Sequence, residues 1–238
     1  MPTRPAPQPV RKPARPPRPW FVSFAAGYPT GLPKFDNTVA ITEFVETGSR
    51  KVGYTTPGAP AVDVGIGVQV RRGLFLGGAV SAFNASTDGE LTAEIPHPFF
   101  FDQKRTLTAS VDGLERQELG IHIQAATIVP LNRRMRIFLA GGPSLFRVRQ
   151  ELVSNVSYSQ EYPFDEVTFT GATRESQAKT GLGFHGQGGL VAMFSRRVGA
   201  DVLVRYSRAS VLFESSDGSA FSASLGGVQV AAGIRAIF

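Results

Sequence analysis

From Phe221 to Phe238 the sequence alternates with a period of two, the signature of a strand. Gly226, Val228, Val230, Ala232, Ile234, Ala236 and Phe238 form one face without a polar interruption; Gly227, Gln229, Ala231, Gly233, Arg235 and Ile237 form the other. Successive strand side chains point to opposite sides of a sheet, so the apolar face must leave water. In a soluble sandwich it would turn into a core. In a membrane barrel it would turn out to lipid, with the small and polar face lining the lumen. This segment alone leaves both open.

The same alternation recurs along the chain. Trp20 to Tyr28 reads as a first strand with aromatics at both ends. Ala61 to Arg71 sets Val62, Val64, Ile66, Val68 and Val70 against Asp63, Gly65, Gly67, Gln69 and Arg71, and Leu74 to Phe83 returns as its hairpin partner. Gln117 to Val129, Met135 to Leu152, Thr180 to Phe194, Asp201 to Ser207 and the final segment bring the expectation to eight strands. Within Met135 to Leu152, Phe138 and Phe146 fall on the polar face and Pro143 interrupts the ladder, which predicts a bulge there.

Connections decide which way the faces point. Arg71 to Gly73, Pro130 to Arg134 and Ser195 to Gly199 are tight turns. Residues 29–60, 84–113 and 153–179 read as long polar loops, the first with alternation of its own around Val39 to Val45 and Lys51 to Thr55 that could extend the flanking strands beyond the membrane, and a shorter loop near Glu214 to Ala220 precedes the last strand. Short turns alternating with long loops is the asymmetry of an outer-membrane barrel, with both termini on the short-turn, periplasmic side. The prediction is therefore an all-β fold, an eight-stranded antiparallel up-and-down transmembrane β-barrel with short periplasmic turns and long extracellular loops.

Composition agrees. The chain has 26 Gly, 18 Phe, no Cys and 18% charged residues, which suits short strands and tight turns. No run approaches the roughly 18 apolar residues of a transmembrane helix, which excludes a helical inner-membrane protein. The net charge of +6 is concentrated in residues 1–19, where Arg4, Arg11, Lys12, Arg15 and Arg18 stand among prolines without an acid. The basic pI is thus a property of a Pro/Arg-rich periplasmic tail and does not indicate nucleic-acid binding. Proline favours extended polyproline II, so 1–19 reads as a spacer and 20–238 as the barrel. No apolar leader precedes it, and the expectation is a form whose export signal has been removed.

Across Trp20 to Phe238 the pattern resembles the small eight-stranded outer-membrane barrels of the OmpA, OmpX and OmpW kind. The end of the chain resembles their terminal targeting strand at Gly233, Ala236 and Phe238. The segments Ile95 to Phe101 and Phe169 to Thr173 also look like those of bacterial envelope barrels. The resemblance implies the bacterial outer membrane, contact with outer-membrane lipid and a monomer, and it implies no activity.

An eight-stranded barrel is just wide enough for its own side chains. The predicted lumen network is Asp63, Arg71, Glu118, His122, Arg136, His185, Asp201, Arg205 and Arg235, paired because an isolated ion is costly there. His122 and His185 can meet across the lumen as hydrogen-bonded histidines; no short ligand spacing supports a metal, and no cofactor is expected. The loop patch Pro96, His97, Pro98, Phe99, Phe100 and Phe101 reads first as an apolar anchor folding back on the rim or into headgroups, with an exposed patch for a partner as the alternative. Lipid A-modifying enzymes and omptin proteases resemble this architecture and use His with Ser or Asp near the outer rim, but no such partner stands at a matched spacing from His97. The expectation is a non-enzymatic structural or adhesive barrel with a salt-bridged plug. Its alternatives are a narrow channel or hydrophobic-solute port and a lipid-modifying enzyme. Arg71, Arg72, Arg133, Arg134, Arg196 and Arg197 would gather with the tail to meet lipid headgroups, the cell wall or a periplasmic partner, and the loops could join a larger surface assembly.

Overall fold

The computed structural model describes residues 19–238; the tail prediction lies outside the described residues except at Pro19. Ten antiparallel strands follow one another: β1 (Trp20–Thr30), β2 (Phe35–Glu43), β3 (Glu46–Thr55), β4 (Ala61–Arg71), β5 (Leu74–Pro96), β6 (Lys104–Pro130), β7 (Met135–Ser159), β8 (Thr168–Met193), β9 (Val198–Glu214) and β10 (Ala220–Ile237). Their order is β2-β3-β5-β4-β1-β10-β9-β8-β7-β6, and β5 pairs β6 to close a ring of eight. β1 and β10 meet in register from Phe21 opposite Ile237 to Thr30 opposite Val228. Trp20 and Phe238 exchange backbone hydrogen bonds of 3.0 and 2.8 Å and stack their rings at 4.3 Å. Gly233 is needed for that closure, since a Cβ there would meet the Phe24 carbonyl at 2.1 Å.

The three tight turns fall at one end, with Trp20 and Phe238. Asn132 Oδ1 accepts from Arg134 N and Met135 N, and Ser195 Oγ from Arg197 N and Val198 N, so each turn satisfies its own backbone. The six turn arginines named above are all exposed.

The apolar stripes face outward. Val62, Val64, Ile66 and Val68 on β4, Leu119, Ile121 and Ile123 on β6, and Val202 and Val204 on β9 are all exposed. Along β6 the outward apolar run from Leu119 to Val129 rises about 25 Å at ~3.3 Å per residue and a ~40° tilt, the height of the lipid-facing band of such barrels. Aromatics flank it: Trp20, Phe194 and Phe238 at the turn end, Tyr28, Phe184 and Tyr206 at the other.

Above that band the polarity inverts. Leu91, Ile95, Leu107, Leu114, Val148, Val211, Phe213 and Leu225 form a buried apolar cluster inside the cylinder, as in a soluble sandwich. Within this region β6 also changes which of its positions face inward, through one extra residue. The β5–β6 register shifts between Thr87 and Gly89, with Gly113 at φ 74°, and inward positions change from even (Leu114, Arg116) to odd (Val111, Leu107). A bulge with Gly in the left-handed region is the device that re-aims a strand this way.

Two expectations are corrected. The long segments are not mainly loop: β5 and β6 run on to Pro96 and from Lys104, β7 and β8 to Ser159 and from Thr168, and residues 29–60 hold the β2–β3 hairpin, which pairs with β5 from Ser49 opposite Glu94 to Thr55 opposite Asp88. Free of lipid, these strands satisfy their backbones only by staying paired. The bulge predicted at Pro143 is absent. β6 and β7 keep one register on both sides of it, and the β7–β8 pairing shifts instead higher up, with an extra residue in β7 between Val153 and Asn155 and one in β8 between Phe169 and Gly171.

Candidate functional site

Two places carry side chains that a bare scaffold would not need: the lumen and the tips of the extracellular hairpins. In the lumen three guanidinium–carboxylate pairs neutralise one another. Arg205 Nη1 donates to Asp63 Oδ2 at 2.5 Å, Arg235 donates to Asp201 Oδ2 through Nη2 at 2.7 Å and Nε at 2.9 Å, and Arg116 Nη2 donates to Glu118 Oε2 at 3.1 Å. All six side chains are buried. Arg235 also lies over the Phe138 ring at 3.7 Å and the Phe21 ring at 5.0 Å. That explains two phenylalanines on a polar face: Phe138 sandwiches a cation, and Phe146 packs edge-on to His122 at 5.5 Å. Phe21 fits only because position 67 is glycine, whose Cβ would lie 2.4 Å from the ring.

Polar side chains join these pairs. Arg205 Nε donates to Gln187 Oε1 at 2.9 Å, and Gln187 Nε2 to Gln124 Oε1 at 2.8 Å. His122 bonds Ser81 through Nε2 and Ser144 through Nδ1, each at 2.8 Å, and Ser144 bonds His185 Nδ1 at 2.9 Å. The two histidines therefore meet, 4.7 Å apart, as members of a hydrogen-bonded chain. Among the described residues no cluster of three or more His, Cys, Asp or Glu forms a metal site.

Of the predicted lumen set, Asp63, Glu118, His122, His185, Asp201, Arg205 and Arg235 come together. Arg71 and Arg136 do not: Arg71 is exposed beside the first turn and Arg136 is half-buried near the second, because both sit where their strands leave the membrane and water is within reach. Gln124, Ser144 and Gln187 lie on the polar faces that alternation turns to the lumen, and the structure adds them to the network as hydrogen-bond partners; Arg116 is the member that sequence reasoning missed. Arg116 stands one period before Glu118, on the same face and just outside the predicted strand.

The hairpin tips form the second place. Phe44 and Val45 cap β2–β3, Phe99, Phe100 and Phe101 cap β5–β6, and Tyr162 and Phe164 lie between β7 and β8. Val45 is 93% exposed, Tyr162 85% and Phe101 77%. The three tips are tied together: Asp102 N donates to Glu46 Oε1, Tyr158 Oη to Glu43 Oε2, and the Phe99 and Phe164 rings stand 5.4 Å apart. All four non-glycine residues with positive φ among the described residues, Phe44, Val45, Asp102 and Phe164, belong to this crown. Val45 at φ 69° is costly for a β-branched residue. Acids surround the aromatics: Glu43, Glu46, Asp102, Glu161, Asp165 and Glu166.

This overturns the anchoring role expected for residues 96–101. From Ala82, at the top of the lipid band, to Pro96, β5 climbs about 35 Å, beyond the reach of headgroups or rim. Pro96 and His97 are buried, and only Phe99 to Phe101 are presented. His97 acts as a clasp. Its Nδ1 accepts from Phe99 N and Phe100 N at 3.1 and 3.2 Å, and its Nε2 stands 3.7 Å from Asp165 Oδ1, an acid sequence spacing did not reveal. Beneath, Arg105 donates to Pro96 O, Gln160 Oε1 and Phe164 O. Within the extension, burial raises the Tyr54 phenol to about 12. Burial, with the Glu43 carboxylate beside it, raises that of Tyr158 as well.

No protein-family model matches the sequence, and no curated protein matches it. Solved structures do. The outer membrane protease OmpT of Escherichia coli aligns over 94% of this chain and 98% of its own at 9% identity and a TM-score of 0.50. The outer membrane protein OprG of Pseudomonas aeruginosa aligns over 93% and 96% at 12% identity and 0.47, and Ail of Yersinia pestis over 92% and 99% at 11% and 0.38. The fold is that of bacterial outer-membrane barrels. With its girdle of exposed aliphatics, the expected outer-membrane location holds.

Proposed function

We propose that this barrel is an interaction protein, whose membrane ring is a stand for the extracellular sheet and whose crown of Phe44, Val45, Phe99, Phe100, Phe101 and Tyr162 engages another protein. The observation that carries this reading is the strained turn at Phe44 and Val45. A two-residue hairpin turn favours Asn-Gly, yet here two large apolar residues adopt positive φ at a solvent-facing tip. Backbone strain of about 1–3 kcal/mol per residue persists where surrounding structure over-determines it, and it clusters at functional sites. An apolar centre with an acidic rim suits a protein surface with an apolar patch ringed by bases; an anionic bilayer would be repelled. A photo-crosslinking residue at position 100 tests this in native envelopes. Protein adducts there that vanish in a Phe44→Asn/Val45→Gly variant support the reading, and an absence of protein adducts rules it out.

A hydrolytic reading draws on His97 beside Asp165 and on the likeness in fold to a protease. Against it stand the burial of His97 and the engagement of its Nδ1 by two backbone N–H groups. Loss of peptide or ester hydrolysis on His97→Ala, in a barrel that still folds, would favour it. A conducting lumen is tested by planar-bilayer current, which the three ion pairs of the plug should block. The tail, 1–19, fits a tether to an acidic periplasmic or cell-wall partner, and its deletion should then release the protein from cell-wall material.

A further inference from the structure

We propose that the groove on the outer wall, where the lipid-facing band gives way to the extracellular sheet, binds a phosphate-bearing acyl lipid of the outer leaflet. The groove holds about 700 Å³, and register orders its lining into two rungs. In the lower, Val62 faces Ala82, Ala82 faces Leu119, and Leu119 faces Arg147. In the upper, Asn84 faces Gln117, Gln117 faces Arg149, and Arg149 faces Ala178. The rungs lie about 7 Å apart along the strands. Val62, Ala82 and Leu119 thus form an apolar shelf that ends on Arg147 and sits directly below a polar rung, the order in which a leaflet presents acyl chain and headgroup.

Charge selects the headgroup. Arg147 and Arg149 point outward and are exposed, and neither forms a salt bridge among the described residues. Arg149 Nε donates to Ser176 Oγ at 2.9 Å, which leaves its terminal nitrogens free to fork onto a phosphate. The acid in the lining, Glu118, is held by Arg116 at 3.1 Å and is buried. The shelf sets the site apart from one for a free anion: Val62 and Leu119 are exposed within it and continue the lipid band downward. A groove of this volume is of the size that holds a compact ligand. The site depends on the barrel's seat in the bilayer and is independent of the crown.

The test uses the full chain refolded in detergent and titrated with a bisphosphorylated acyl glucosamine disaccharide, the same lipid without phosphates, and inorganic pyrophosphate. Binding is read by native mass spectrometry, and folding by heat-shifted gel mobility. Arg147→Gln/Arg149→Gln should lower affinity for the phosphorylated lipid at least tenfold. Arg208→Gln, at the first outward charge of β9, should change it less than twofold. Leu119→Asn should lower it with both arginines intact. Equal binding of wild type and the double arginine variant, or of the lipid with and without phosphates, would overturn the proposal. Displacement of the lipid by equimolar pyrophosphate would overturn it too, by making the site one for a bare anion.

Discussion

Replacing Arg235 by Met should be the most damaging single change in the lumen, and the structure gives its size. Arg235 is 1% exposed and Asp201 3%. Methionine fills the space between Phe21 and Phe138 but leaves the Asp201 carboxylate without its cation. Removing one partner of a buried pair costs about 3–5 kcal/mol, and the cation–π contacts on two rings add up to ~2 kcal/mol each when desolvated. These overlap, so about 4 kcal/mol in total is expected. Asp201→Asn should cost less, about 1–3 kcal/mol, because the cation keeps both rings and accepts a neutral hydrogen-bond partner. The double variant Arg235→Met/Asp201→Asn removes both charges and should recover most of the loss. Urea titration in lipid vesicles, followed by the fluorescence of Trp20, the single tryptophan, measures all three. A cost below about 1 kcal/mol for Arg235→Met, or a double variant no better than the single, would refute a dry plug. It would mean that water, not Arg235, compensates Asp201.

Three further outcomes follow from other contacts. Tyr54 and Tyr158 titrate higher in the folded extension than in an unfolded chain, where a phenol ionises near 10. Their contribution is therefore whole below pH 10 and lost as pH rises toward 12, so proteolysis of the extracellular sheet should accelerate in that window while the membrane ring stays intact. Phe44→Asn/Val45→Gly should stabilise that sheet by about 1–2 kcal/mol in hydrogen exchange, by relieving positive φ at a turn; unchanged or faster exchange would remove the strain argument. Gly67→Val should cost about 1–3 kcal/mol or block refolding, since its Cβ would strike the Phe21 ring at 2.4 Å, and restoration by Phe21→Ala would confirm the clash as the cause.

Alternation determined a good deal alone. Period two on β4, β6 and β10, with tight turns between alternate strands, was enough for eight strands in a ring, their outward faces, and most of the charges inside it. Such information is local: a strand's two faces are written in consecutive residues, and lipid demands that one be apolar throughout. The sequence also made legible that Asp63, Glu118 and Asp201 share the lumen with arginines, but not which pairs with which, since Arg205 reaches Asp63 across the closed sheet.

What only the tertiary structure decided lies mostly above the membrane. There the rule reverses, and residues 84–113 read as loop because their apolar positions face a core that exists only once β3, β5, β6, β7 and β9 surround it. The bulge at Gly113 that aims Leu107 and Val111 inward is one residue in β6, visible only against its partner. The crown depends on three hairpin tips, far apart in sequence, arriving at one place, and the arginine groove on two neighbouring positions of β7 meeting an apolar rung from β4, β5 and β6. A strand carries its own polarity in its residues; which strands stand beside it is set by closure of the sheet.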